Sequence, residues 1–237
     1  MAKNAGGRTD GGTGRGRGAR AVKPARRPEL NLAELLPWEG GGLRPDGDHD
    51  GVLLAGQDFG GQEGAGSRFL DCELRDCALD GTGLRGARFL DSRLVGVRGV
   101  GADLADGTLR DVELVDARLG GVGAHGSVWE RVLVRGGKID FLNLREARLR
   151  DVVFEGCVLV EPDFARAVLE RVEFRDCVVR GAELTGARLT DVDLRGATEL
   201  DFAGGVEALA GAVISPAQLI DLAPVFAARL GVRVEAP

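Results

Sequence analysis

The sequence predicts an all-β chain built as a square solenoid of about eight coils, followed by a short C-terminal α-helical element. Two periodicities predict it. From Leu54 to Ile214 in steps of five, 28 of 33 positions are large and apolar, and only Gly64, Gly99, Ala124, Glu199 and Gly204 interrupt them. Two residues before each centre runs a column of small residues, including Cys72, Cys77, Ala87, Ala102, Ala117, Ala147, Cys157, Ala167, Cys177, Ala182 and Ala187. A period of five fits neither the 3.6 of a helix nor the 2 of a half-buried strand. Each unit therefore reads as one straight side of a coil with two inward positions. A longer period sets the number of sides: Asp71, Asp91, Asp111, Asp151 and Asp191 fall 20 apart, as do Gly61, Gly81, Gly101, Gly121 and Gly181. Four units thus make one coil. Coils stacked about 4.8 Å apart give a rod roughly 40 Å long.

The segments outside the repeat follow from composition. Residues 1–28 hold eight basic side chains against Asp10, a net of +7, so the rest of the chain carries −13 of the overall −6. This Gly/Arg-rich head has too little apolar surface to fold and reads as a disordered tail, with nucleic acid as an open possibility for its partner. Residues 29–51 lead in, with Leu32, Leu35, Leu36 and Trp38 to cover the first coil; the β-helix occupies 52–214. Ser215-Pro216-Ala217-Gln218 then opens a helix in the 215–237 element. That helix is expected to reach about Leu230, to stop at Gly231, and to kink or split at Pro224. Leu219, Leu222, Phe226 and Leu230 fall on one face, which either caps the last coil or pairs with a second copy.

The units Ala102-Asp103-Leu104-Ala105-Asp106 and Ala182-Glu183-Leu184-Thr185-Gly186 resemble those of the pentapeptide repeat family, and some thirty stand in register over about residues 52–214. The resemblance implies a right-handed quadrilateral β-helix. Likeness to the quinolone-resistance and toxin-immunity members implies a non-enzymatic DNA mimic that binds a type II topoisomerase, DNA gyrase, and modulates its inhibition by antibiotics. It also favours a homodimer formed through the C-terminal element. Those relatives often carry loops that project from the coils, and residues 54–194 contain no long insertion. The alternative is a protein–protein scaffold with no topoisomerase role.

Little in the sequence points to chemistry. All four cysteines occupy the small inward column, where a thiol packs as a small hydrophobe, and no zinc-ligand spacing accompanies them. Asp46-Gly47-Asp48-His49-Asp50-Gly51 matches half a calcium loop, but Gln57 stands where a bidentate glutamate is needed; it reads as a turn into the first coil. His49 and His125 are the only histidines, and no nucleophile elbow, P-loop lysine or metalloprotease motif appears, so neither catalysis nor a cofactor or metal is expected. No apolar run reaches 18 residues and no apolar stretch follows Arg26-Arg27, so the expectation is a cytoplasmic protein with no membrane span or signal peptide. Trp129 falls on an inward centre beside the small Ala124.

The outward positions alternate in sign around the square. One acidic column holds Glu73, Glu113, Glu173 and Asp193, broken by Arg93; another, two sides away, holds Glu63, Asp103, Asp163 and Glu183. Arg98, Arg118 and Lys138 run along one intervening side, and Arg68, Arg88, Arg148 and Arg188 along the other. The eight carboxylates are the candidate partner-binding residues: on the DNA-mimic reading they stand in for phosphates, and on the plainer one the ladders neutralise each other.

Overall fold

A computed structural model describes residues 21–235 apart from Ala33. It is a four-sided, right-handed β-solenoid of about nine turns with one C-terminal helix. All strand pairs are parallel, and from Asp48 to Asp193 the partners lie 20 positions apart, as Thr108, Val128 and Arg148 do in three successive coils. The backbone is satisfied between coils, for example by Asp71 N–H to Leu90 O and Arg88 N–H to Ser67 O.

What makes the coil square is a corner at every fifth residue. All positions from 46 to 191 in steps of five have positive φ, whether glycine or not. This left-handed conformation is open to Gly, tolerated by Asp, and costly for other side chains. The aspartates and glycines spaced at 20 residues belong to this set, but the turn recurs once per unit, not once every four units. Arg131, Phe141, Glu146, Glu161, Arg166 and Arg171 hold corners too. Between corners lie four faces: face I (residues 62–65 and equivalents every 20 positions), face II (67–70), face III (72–75) and face IV (77–80).

The bore is filled as the two inward columns require. Leu54, Phe69, Leu84, Leu144 and Phe154 are wholly buried, and Trp129 points inward. Beside it, an apolar cavity of about 50 Å³ is lined by the small centre Ala124 together with Leu104, Leu109 and Leu119. His49, Phe69 and Phe89 stack face to face at 4.7 and 4.6 Å, and Phe154 on Phe174 at 4.9 Å. The small column also has a polar use. Thr82 Oγ1 donates to Phe59 O at 2.9 Å, and the Cys77 and Cys157 thiols donate to Leu54 O and Val134 O, each 23 residues back. All four cysteines are free and buried, and burial pushes the Cys72 and Cys77 thiols up.

Both ends depart from expectation in detail. The coil begins before residue 52: Asp48–Asp50 already pairs with Arg68–Leu70, Asp46 is a corner, and Leu43 fills the space over Gly64. Asp48 is bonded to Arg68 at 2.7 Å, so the calcium-like segment is the first coil. Trp38 covers that coil, edge-on to Phe59 at 5.5 Å, whereas Leu36 is two-thirds exposed. At the far end the five-residue register holds to Leu194 and then slips by one: Arg175 faces Gly196 and Val179 faces Leu200. The slip puts Leu200 in the place computed for Glu199, which turns outward to Arg180 at 2.8 Å.

The terminal helix, α1 (Pro216–Arg229), starts with the expected capping box of Ser215 and Gln218. Pro224 neither splits nor ends it, because a proline costs one backbone bond that the packed helix tolerates. Its apolar residues do not act as one face. Leu222 is buried on the last coil with Val225 and Phe226 against it, and the buried Gln218 side chain donates to Leu194 O and Ala197 O at 2.8 and 3.0 Å. Leu219, Ile220 and Leu230 stay exposed.

Candidate partner-binding surface

The structure sorts the eight candidate carboxylates into two sets. On face III each is matched by an arginine of the same face: Arg75 to Glu73 at 2.7 Å, Arg93 to Glu113 at 2.8 Å, Arg175 to Glu173 at 2.7 Å and Arg195 to Asp193 at 2.6 Å. Arg75, Arg175 and Arg195 stand two positions after the column, where the strand turns its next outward side chain, and Arg93 stands in the column one coil before Glu113. On face I the carboxylates are used by the backbone. Asp103 and Asp163 accept from the N–H two residues on at 2.9 and 2.8 Å, and Glu183 does so from Thr185 at 2.7 Å. Asp163 also takes Arg145 at 2.7 Å, and Glu63 stands exposed. Face II presents Arg88, Arg148 and Arg188 to solvent; face IV has a shallow groove along Arg98, Arg118 and Lys138 over Gly99 and Gly120.

The unmatched negative charge sits instead at the corners. Asp71 and Asp91 occupy consecutive coils on the edge between faces II and III, and Asp76, Asp116 and Asp176 stand exposed on the next edge. The backbone requirement for positive φ is what selects Asp there, so the acidity of the rod grows out of its geometry. Burial, with Asp111 and Asp71 on either side, pushes the Asp91 carboxyl up. Further along the same edge, charge alternates through Asp111, Arg131, Asp151, Arg171 and Asp191. Arg131 holds Asp111 through two bonds of 2.6 Å, and Arg171 holds Asp151 at 2.6 and 2.9 Å. Asp151 is wholly buried; burial opposes its charge, but the hydrogen bonds from Arg171 and Arg26 prevail and hold its carboxyl below the usual range.

Arg26 belongs to the segment expected to be a disordered tail. The first twenty residues of that tail lie outside the described residues, but from Lys23 the chain is laid along face III. Lys23 N–H donates to Asp191, Ala25 N–H to Glu173 at 2.7 Å, Arg26 to Asp151 through both side chain and backbone at 2.8 to 3.2 Å, and Arg27 to Glu155. The segment ends at the first coil, where Leu36 and Pro37 pair with Val52 and Leu53. Beneath it, Leu133 and Val153 hold outward positions and are nonetheless buried, as is Pro28 above. Face III is thus covered. No local signal marks this: the binding partners lie 125 or more residues apart, and only the coil brings them together.

A family model described as "Pentapeptide repeat region" matches residues 67–144 and 138–201. No curated protein matches in sequence. Among solved structures, a trypsin-treated form of QnrB1, a plasmid-mediated fluoroquinolone resistance protein, aligns at 17% identity and a TM-score of 0.37, over 85% of this chain and 100% of that one. HetL, a pentapeptide repeat protein involved in heterocyst differentiation regulation from the cyanobacterium Nostoc sp., aligns at 19% identity and a TM-score of 0.30, over 73% of this chain and 92% of that one.

Proposed function

We propose that this chain, which belongs to the pentapeptide repeat family, works without catalysis as a protein-binding rod whose acidic edges enter the DNA-binding surface of a type II topoisomerase such as DNA gyrase. The observation that supports the reading is the pair Asp71 and Asp91 on consecutive coils, with the exposed Asp76 and Asp116 on the adjoining edge. Carboxylates repeated about 4.8 Å apart on a straight, narrow rod form a line of charge of the kind a basic cleft attracts. The corners replace the face III carboxylates as the contact set, since Glu73, Glu113, Glu173 and Asp193 are already matched by arginines. Dimerisation belongs to the same proposal, through the exposed Leu219, Ile220 and Leu230 of α1, with Leu222 and Phe226 engaged in the cap. Residues without a membrane-spanning helix among those described suit a partner met in the cytoplasm.

A supercoiling and cleavage assay with purified gyrase, with and without a fluoroquinolone, tests this. Wild-type protein is expected to inhibit supercoiling or to relieve drug-stabilised cleavage at micromolar concentration. A variant with Asp71→Asn, Asp76→Asn and Asp91→Asn keeps side chains that tolerate the corner and is expected to lose the effect. Equal action by both proteins, or none by either, rejects the acidic-edge reading.

A further inference from the structure

Face III is built as a groove for an extended basic segment, and we infer that it accepts such a segment from a partner protein in exchange for the chain's own residues 23–28, Lys-Pro-Ala-Arg-Arg-Pro. The inference does not depend on the topoisomerase reading.

The resident strap defines what fits. Between the bond of Lys23 to Asp191 and that of Leu36 to Gly51, 13 residues cross seven coils, about 34 Å at the strand spacing. A chain of that length reaches at most about 45 Å when fully extended, so the strap lies nearly straight, as its two prolines favour. Recognition uses four acceptors, Asp191, Glu173, Asp151 and Glu155, over a floor containing Leu133 and Val153. The backbone N–H groups of Lys23, Ala25 and Arg26 and two guanidinium groups meet them, a pattern that reads extended backbone and positive charge more than a particular sequence.

Three of the acceptors also keep a partner of their own in the rod, and this makes exchange feasible. Asp151 is held by Arg171, Glu173 by Arg175, and Glu155 by Arg135 at 3.4 Å. When the strap departs, these three carboxylates stay matched, so the heavy penalty for stranding the buried Asp151 does not arise. The strap's own side chains are accessible: Arg26 is 60% and Arg27 39% exposed although their partners are covered. Residues 29–35 join the strap to the Leu36–Pro37 pairing on the first coil, a short tether that keeps it at high local concentration. A partner segment must therefore outcompete a tethered copy, and raised salt weakens both.

The test uses the full chain. Arg26→Glu with Arg27→Glu sets like charges against Asp151 and Glu155 and releases the strap. Release is read with Val153→Cys, whose thiol labels slowly in the parent chain and fast in the double variant; the native thiols face the bore. The probe is a fluorescein-labelled peptide of residues 21–32, followed by anisotropy. It is expected to bind the double variant at micromolar concentration and the parent at least about tenfold more weakly, because the tethered strap competes. Adding Glu173→Gln, a change that keeps shape, is expected to weaken peptide binding again. A thiol that stays slow in the double variant overturns the inference, since the arginines then do not hold the strap. Fast labelling without peptide binding, or equal binding to both proteins, overturns it as well.

Discussion

Arg171 stands one coil beyond Asp151 and grips both oxygens of a carboxylate that solvent does not reach, at 2.6 and 2.9 Å. Both residues are corners with positive φ, so the pair joins the geometric requirement of the coil to its electrostatics. Arg171→Met removes one charge and leaves the buried carboxylate to Arg26 alone. The expected cost is about 3 kcal/mol in urea unfolding at pH 7. The pH dependence has a definite sign. A carboxyl held below its ordinary value contributes stability that is full above about pH 4 and is lost as pH falls below that toward the lowered folded value. The wild type should therefore lose stability steeply below pH 4, and the variant should lose less.

Asp91 has the opposite sign. Its carboxyl is pushed up by burial and by Asp111 and Asp71, so the folded chain disfavours its charge, and its contribution is lost as pH rises through the folded value. Asp91→Asn is expected to be slightly more stable than wild type at pH 7, by about 0.5 kcal/mol, with the advantage gone at pH 3. Thermal melts at the two pH values check this. A variant that is less stable at pH 7 would show that the carboxylate is held by contacts outweighing its neighbours' repulsion.

His49 occupies a bore centre, stacked on Phe69, and burial lowers its pKa from the ordinary 6.5. Arg44 adds to the lowering and Asp48 opposes it. A base with a depressed folded value contributes stability that is full above about pH 6.5 and declines as pH falls below it, because the unfolded chain takes up the proton first. Melting temperature should fall between pH 7 and pH 5. His49→Phe extends the aromatic stack and should remove that dependence while leaving the lower-pH loss attributed to Asp151.

Phe141 holds a corner at φ 54° with more than half its side chain in solvent, so it bears the strain of the left-handed conformation with little burial in return. Phe141→Asn should raise stability by about 0.5–1 kcal/mol, a shift of roughly 2 °C for a chain of this size. Phe141→Val, β-branched at a positive φ, should lower it. A melting series of the three residues gives the order Asn, Phe, Val.

The centres and the small column were legible because one kind of side chain fills each for physical reasons that repeat every five residues. The corners were half legible. Gly and Asp mark many of them, but Arg131, Phe141 and Arg171 are residues that propensity excludes from positive φ, and only the packed coil imposes it. The slip after Leu194 was visible as the misplaced Glu199 and Gly204 without its cause. The strap was not legible at all. Its composition is that of a disordered tail, and its hold comes from Asp151, Glu155 and Glu173, which become neighbours of Arg26 only after coiling. Neutralisation was legible as an alternative, but not its partners: Glu73, Glu173 and Asp193 pair with the arginine two positions on, and Glu113 with Arg93 in its own column.

Whether the acidic edges occupy a surface made for DNA is decided by competition at equilibrium: a fluorescent duplex bound to gyrase, titrated with this protein at low and at raised salt. If they do, the protein displaces the duplex with a micromolar midpoint that weakens as salt rises, and the Asp71→Asn, Asp76→Asn, Asp91→Asn variant displaces it poorly. A duplex that stays bound at every protein concentration would contradict the claim.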